Sequence, residues 1–459
     1  MSFKGCGETN TKGARCPRGS RSLRRRSGRD VGCPSRVRPN GMKSGNEGGR
    51  MKKSRQGNRE AAGEGGLGVW LIGARGGLAT TLVAGVELIL RNKTSRCGLV
   101  TETPAFAPLK LRPLGRLVFG GHEVRKGSLF ESAMEIHRDN GTIPYEGLLE
   151  IREALDAADT RIREGTVMNC GDAIRNLAGK KIRAKHRSLA EIVKAITADL
   201  EEFRRSTGVD RVVVVNLAST EPPLNLEPAH KTPTGLQRLI KNDVRAAMRA
   251  SGLYAWAAIR LGMPFLNFTP SNACLTPGHV KLAMKKGVPV MGNDGKTGET
   301  LVKSALAPMF KYRNFRVLTW QGYNILGDRD GQILSDPRNR RSKIKSKDGL
   351  LSHILGYPLN THVSIEYAPS LSDLKTAWDF VHFQGFLDYK MSLQFTWQGC
   401  DAILAAPIVL DMVRLADHAQ RRGEAGLMTQ LACFFKSPLG VDEHDLHFQF
   451  HHLMAYLDT

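Results

Sequence analysis

Residues Arg211-Val212-Val213-Val214-Val215-Asn216-Leu217 restrict the fold more than any other part of this chain. Four successive valines have no polar alternation, so neither face of the strand they form can lie in water. A strand covered on both sides belongs in a parallel sheet whose connections run through helices. Val69-Trp70-Leu71-Ile72 is a second buried-strand run. It enters the turn Gly73-Ala74-Arg75-Gly76-Gly77-Leu78-Ala79-Thr80-Thr81 and then a helical pattern through Leu90. A further strand, Arg116 to Phe119, is followed by Gly120-Gly121-His122-Glu123, and helical patterns occupy about 145–165 and 188–206. Pro264 to Phe268 and Gly287 to Met291 read as strands too. Polar turns close two of these runs, Ala218-Ser219-Thr220-Glu221-Pro222 and Thr269-Pro270-Ser271-Asn272. The pattern predicts an α/β, doubly wound parallel sheet with ligands beyond the carboxyl ends of its strands.

The pattern changes after residue 310. Phe315 to Trp320, His362 to Tyr367 and Leu393 to Trp397 alternate with period two, which predicts a half-exposed mixed or antiparallel sheet, placed at a subunit interface. An apolar helical pattern returns from Leu404 to Ala419. No internal repeat is visible.

Charge is distributed unevenly. Residues 1–66 carry 17 Lys and Arg against 5 Asp and Glu, about half of the chain's net +23. This segment is rich in Arg, Gly and Ser and has no apolar periodicity, so it reads as a disordered basic tail, or as an over-long start with initiation at Met42 or Met51. Arg24-Arg25-Arg26 offers charge to a polyanion, but no aromatic residue interleaves the arginines, which argues against nucleic acid as the partner. No secretory h-region and no long apolar run are present, so the chain is expected to be cytoplasmic, with no membrane partner. Its eight cysteines form no CxxC pair and read as reduced thiols.

Two glycine-rich turns carry the chemistry. In Gly73 to Thr81, Gly73 permits the tight turn, and Gly76 and Gly77 let a pyrophosphate approach the backbone. Ala79 stands where a small residue lets helix and strand pack closely. Arg75 fills the second glycine position, so the turn is a variant dinucleotide fingerprint or else a structural turn. Glu102 and Glu123 are the candidates for the ribose acid. Gly292-Asn293-Asp294-Gly295-Lys296-Thr297-Gly298-Glu299-Thr300 runs from a strand into a helical pattern. Its glycines, threonine hydroxyls and helix-start amides suit a phosphate, but it lacks the P-loop ending. There Lys296 adds charge and Asp294 a candidate acid, base or metal contact. Lys343 and Lys347 share a helical face; Lys375 follows a strand and a loop containing Asp373; Lys436 sits beside Phe434-Phe435. Desolvated lysines can shift toward neutrality, as proton transfer requires, although surface lysines are common in so basic a chain. Asp401 opens a helical pattern and reads as a first-turn acid. His444, His447 and His451 have a conceivable metal spacing with no specific carboxylate partner. Cys274 and Cys400 have no placed histidine, and no metal preference is legible.

In chain order these segments resemble the myo-inositol-1-phosphate synthase family over about residues 67–440. Gly73 to Thr81 is similar to the family's NAD turn, and Gly120 to Glu123 to its Gly-Gly-x-Asp segment. Asn267 to Gly278 is similar to its Asn-x-x-Pro-x-Asn…Pro-Gly segment, and Gly292 to Thr300 to its phosphate loop. Tyr323 to Gly331 resembles its Asn-x-x-Gly-x-x-Asp-Gly signature. Ser342 to Lys347, Ser372 to Lys375, Cys400 to Pro407 and Phe435 to Leu439 resemble its lysine and acidic motifs.

The resemblance implies a Rossmann-like domain split in sequence, with an inserted α+β catalytic and oligomerisation domain. The segments expected are 67–294 for NAD binding, 295–399 for the insertion and 400–459 for the return to the first domain. It further implies NAD as a recycled cofactor, a homotetramer, and a redox-neutral conversion of glucose 6-phosphate into myo-inositol 1-phosphate. That reaction passes through oxidation at C5, enolisation, ring closure and re-reduction. Lys343, Lys347, Lys375, Lys436, Asp294 and Asp401 would be catalytic. Gly73, Arg75, Gly76, Gly77, Leu78, Ala79, Glu123, Thr220 and Asn272 would hold NAD. Thr297, Gly298, Glu299 and Thr300 would hold the substrate phosphate. Glu299 departs from the family's Gln and brings a carboxylate toward a dianion; Leu78 and Ala79 depart as well. Two rival readings are a dehydrogenase or epimerase of another sugar phosphate and a nucleic-acid binder acting through the tail.

Overall fold

The computed structural model describes residues 65–184, 187–327, 331, 350–372 and 374–458. Lys343, Lys347, Asp373, the Asp328–Asp330 part of the signature and nearly all of the basic tail lie outside the described residues.

The named strands are β1 (Leu67–Ile72), β2 (Leu117–Glu123), β3 (Ile162–Glu164), β4 (Arg211–Asn216), β5 (Phe265–Asn267), β6 (Pro289–Met291), β7 (Arg316–Leu326), β8 (Asn360–Tyr367), β9 (Lys375–Gln384), β10 (Lys390–Gly399) and β11 (Gly426–Leu427). The helices that position the site are α1 (Gly77–Leu90), α2 (Leu189–Thr207), α3 (Ala250–Arg260), α4 (Gly298–Tyr312), α5 (Asp401–Arg421) and α6 (Leu446–Leu457). Seven strands form one all-parallel sheet in the order β3-β2-β1-β4-β5-β6-β11. Strand order reverses between β1 and β4, the switch point where a doubly wound sheet opens a ligand crevice.

The valine strand explains the two-sided cover. Val213 and Val215 join the apolar cluster containing α1 and α5 residues, while Val212 and Val214 join the opposite cluster with α2 and α3. Ser188 and Glu191 form a capping box at the start of α2, and Gly208 closes it in the left-handed conformation.

The structure corrects the reading of β2. Gly120-Gly121-His122-Glu123 is part of the strand rather than a segment that follows it. A β-carbon on Gly121 would fall 2.1 Å from the Leu71 carbonyl oxygen, and one on Gly120 would strike the Phe203 ring. The glycines therefore mark close packing inside the sheet. His122 accepts from the Trp70 indole at 2.9 Å and faces Asp199 at 3.0 Å.

The second sheet is mixed, in the order β10-β9-β7-β8, with β7 and β8 parallel and the other pairs antiparallel. The sequence reading misses β9. Lys375 opens that strand, in which Ala377, Asp379 and Val381 face inward. One face packs on α4 through Ala307, Phe310, Trp320 and Val381. The other presents Tyr323 and Trp378, with ring centroids 5.5 Å apart, and Phe380 beyond them.

Candidate functional site

The β1–α1 turn is built from backbone. Gly73 has φ +83°, and a β-carbon there would lie 3.1 Å from the Ala218 Cα. Helix α1 starts after Gly76, with no side-chain cap and no acidic residue in its first turn. Its amides are thus available to an anion. A β-carbon on Gly77 would meet nothing within 4 Å, while one on Gly76 would press on the Gly73 carbonyl at 3.0 Å. Ala79 is packed in the core, and Leu78 lines the cavity described below. Arg75 holds Asp159 in two bonds of 2.8 and 2.9 Å.

Glu123, at the end of β2, spends its carboxylate on the turn. It accepts from the Arg75 amide at 2.8 Å and from the Val124 and Arg125 amides at 2.7 and 2.9 Å. Glu102 is elsewhere, between Arg96 and Arg414, and is no ribose acid. Asn272 does not line the cavity: its amide clasps the Leu224 backbone at 2.9 and 2.8 Å. Thr220 does line it.

The second candidate anion site starts at α4. Thr297 is its N-cap residue, yet its hydroxyl caps nothing. The loop before it is pinned by distant chain. The amides of Asn293 and Lys296 donate to Ser437 and Phe434 at 2.9 and 2.8 Å, and the Lys436 amide donates to the Asp294 carbonyl at 2.7 Å. Gly295 packs flat on Phe268, where any β-carbon would enter the ring. This backbone pairing brings Lys436, 142 residues away in sequence, to within 3.0 Å of the Asp294 carboxylate. A second pair forms where the end of β10 lies opposite the start of β9. There Lys375 reaches Asp401 in the first turn of α5 at 3.3 Å.

A cavity of about 370 Å³ joins the two regions. Arg75, Gly76, Gly77, Leu78 and Thr220 line one end, and Asp294, Thr297, Asp401 and Lys436 the other.

Two expectations change. Lys296 is turned away from the loop, 1% exposed, and donates to Gln449 of α6 at 2.6 Å. Burial lowers its pKa to about 8. The Glu299 carboxylate is buried and turned toward Gly322 of β7 in the second sheet. It meets Lys303, one turn along α4, at 2.5 Å, and Lys303 meets Asp379 of β9 at 3.2 Å. Those two carboxylates hold the Lys303 ammonium charged despite its burial, while burial raises Asp379 above the ordinary carboxylate range. Thr300 is buried in the same first turn. The histidine spacing fails because α6 begins at Leu446 and leaves His444 outside it. Among the described residues no cluster of His, Cys, Asp or Glu fits a metal ion, and no helix is long and apolar enough to cross a membrane.

A family model described as myo-inositol-1-phosphate synthase matches residues 67–458. The inositol-3-phosphate synthase 1 of Bacteroides thetaiotaomicron is 32% identical over 399 residues, covering 82% of this chain and 90% of that protein. The Oryza sativa inositol-3-phosphate synthase 1 is 28% identical over 77% of this chain and 75% of its own length. In fold, the chain is similar to the crystal structure of a Caenorhabditis elegans inositol-3-phosphate synthase, with a TM-score of 0.77, 22% identity and 86% of both chains covered. A myo-inositol-1-phosphate synthase-related protein from Thermotoga maritima gives a TM-score of 0.70 at 23% identity, over 86% of this chain and 98% of that one.

Proposed function

This chain belongs to the myo-inositol-1-phosphate synthase family, a family of enzymes, and we propose that its cavity converts glucose 6-phosphate into myo-inositol 1-phosphate with NAD as a recycled cofactor. The observation that carries the reading is one cavity with an uncapped helix start at each end and two lysine–aspartate pairs beside the second. Two separate anions, a dinucleotide pyrophosphate and a sugar phosphate, match that arrangement.

The turn fits the cofactor. Gly77 leaves open space at the start of α1, Glu123 fixes the Arg75 amide, and the lining is continuous with Thr220. Bound there, NAD would supply the temporary oxidation at C5 and its reversal. Every other requirement falls on side chains. Thr297, Gly298 and Thr300 hold the substrate phosphate. Enolisation places negative charge on the C5 oxygen, and ring closure places it on the C1 oxygen. Lys375 and Lys436 are ammonium donors already held in place by Asp401 and Asp294, so little reorganisation is needed as charge develops. Each pair can also hold or pass the proton exchanged with C6 and the closing oxygen. Lys343 and Lys347 join this set on the strength of the sequence motif.

We assign 67–294 and 400–459 to the cofactor-binding part and 295–399 to the catalytic and oligomerisation part. The outward face of the second sheet leaves Tyr323, Ile325 and Trp378 each 38–39% exposed. An apolar strip of that kind suits burial against further copies, as in a homotetramer.

The deciding experiment incubates purified protein with NAD⁺ and glucose 6-phosphate. Inositol phosphate should form with no build-up of NADH. NADH accumulating with an oxidised sugar phosphate would replace this reading with the dehydrogenase one, and an epimerised sugar phosphate with no net NADH would replace it with the epimerase one.

A further inference from the structure

We propose that the indole N–H of Trp397 is a substrate-binding donor that holds the phosphoryl group of the sugar phosphate beside Gly298. This rests on the assignment of the α4 start to phosphate.

The alternation of β10 sets the position. Gln394, Thr396 and Gln398 are exposed, whereas Leu393, Phe395 and Trp397 are turned inward. Leu393 and Phe395 pack on the apolar core under α4. Trp397 is the next inward residue, where that core gives way to the charged site. Its Nε1 is buried and has no hydrogen-bond partner among the described residues. The indoles of Trp70 and Trp320, by contrast, are satisfied by His122 and Asp379 at 2.9 and 2.7 Å. An indole nitrogen only donates, so this N–H requires an acceptor from outside the described residues. Leaving a buried donor unmade is costly in a native protein, which makes such an orphan informative.

Gly298 locates the acceptor. Its φ is +53°, and a β-carbon there would lie 3.5 Å from Trp397 Nε1, 3.4 Å from Asp401 Oδ1 and 3.7 Å from Lys375 Nζ. The absent side chain leaves a space ringed by a neutral donor, an ammonium and a carboxylate that is itself engaged by that ammonium. The same space adjoins the uncapped first turn of α4. A phosphoryl oxygen placed there takes hydrogen bonds from the helix amides, the indole and Lys375 together. A neutral donor adds binding without adding to the positive charge that Lys375 and Lys436 already concentrate.

Tryptophan labelled with ¹⁵N at the indole gives the direct test. One indole resonance, identified by its loss in Trp397→Phe, should move downfield when glucose 6-phosphate is added, and also with inorganic phosphate. In kinetics, Trp397→Phe should raise the KM for glucose 6-phosphate about 10- to 100-fold, as expected for a lost hydrogen bond to a charged group. Its kcat should change less than about threefold, since a bond made equally to substrate and transition state affects binding alone. NAD affinity should not move. If the Phe variant folds poorly, benzothienylalanine at position 397, which replaces the N–H by sulfur in the same ring shape, should show the same KM rise. An unmoved indole resonance at saturating ligand would overturn the proposal. So would a folded variant with unchanged KM, or one whose loss falls on kcat alone. Should the wild-type protein form no inositol phosphate, the parent reading fails on that product assay, while the resonance shift with inorganic phosphate still decides the role of Trp397.

Discussion

The two helix starts that open on the cavity solve the same problem by different means. At α1 the proposed anion site is all backbone: Gly73, Gly76 and Gly77 clear the approach, and Glu123 is consumed in shaping the turn. At α4 the backbone is again uncapped, but two lysine–aspartate pairs stand beside it and a third charged cluster lies beneath. On the proposed chemistry, a pyrophosphate keeps its charge throughout turnover, so fixed dipoles suffice at α1. The sugar's oxygens gain and lose charge, and only titratable groups can follow that. The same physics of helix ends thus separates a holding site from a reacting one.

The comparison is broken most severely from below. Lys303 lies between the buried Glu299 and Asp379 carboxylates and pairs with both. Lys303→Met removes the ammonium that the two carboxylates share and should cost about 3–5 kcal/mol of stability. Glu299→Gln leaves the Lys303–Asp379 pair intact and should cost less than about 1 kcal/mol, the scale of a single hydrogen-bond adjustment. Urea unfolding of both variants checks the order. Equal losses would mean that Glu299 carries weight of its own in holding the α4 start.

Next in size is chemistry at the second site alone. Lys436→Ala and Lys375→Ala should each lower kcat about a hundredfold or more, the usual effect of removing one transition-state donor. NAD binding, measured by calorimetry, should persist in both. A parallel loss of NAD affinity would show that the two ends of the cavity are not separable.

How much of this could be read beforehand depends on the range of the interactions. The valine strand and the β1–α1 turn are local patterns, and the sheet follows from them because burial on both faces admits few alternatives. Glu299 and Lys303 were legible as an i,i+4 pair on a helix, a signal that the reading of Glu299 as a phosphate neighbour passed over. The inward turn of Lys296 had no local signal, because it depends on Gln449 of α6. Asp379 was hidden because β9 went unrecognised, so its carboxylate had no face to be assigned to. The meeting of Lys436 with Asp294 depends on pairing of the 434–439 backbone with the 292–296 loop, which only the folded chain creates.

The first site is probed by filling its empty space. A Gly77→Val variant places methyl groups where a β-carbon meets nothing within 4 Å, so the fold should hold while the approach of a pyrophosphate is blocked. Affinity for NAD should fall roughly 10- to 100-fold, the range for one misplaced contact at a close backbone approach. Binding of inorganic phosphate at α4 should be untouched. Gly76 is the poorer probe because a side chain there would press on the Gly73 carbonyl. Undiminished NAD affinity in Gly77→Val would remove the dinucleotide from this turn.

The smallest effect sharpens the comparison inside the second region. Lys436 lines the cavity, Lys375 pairs with Asp401 on its wall, and both are held by carboxylates, whereas Lys296 faces away and is held by the Gln449 amide. Burial depresses its folded-state pKa to about 8, below the ordinary lysine value of 10.5. Between those two values the unfolded chain still holds a proton that the folded chain has released, so stability attributable to Lys296 rises with pH across that window. Below about pH 8 both states are charged, and the folded state bears the full cost of desolvating the ammonium. The stability of wild type relative to Lys296→Met should therefore increase from pH 8 to pH 10, by at most about 3 kcal/mol on the linkage scale. Taking the difference between the two proteins cancels the titration of other groups. If Lys296 stands behind the site rather than in it, the pH profile of kcat should be the same in both proteins. A flat stability difference with a shifted kcat profile would put Lys296 among the reacting lysines after all.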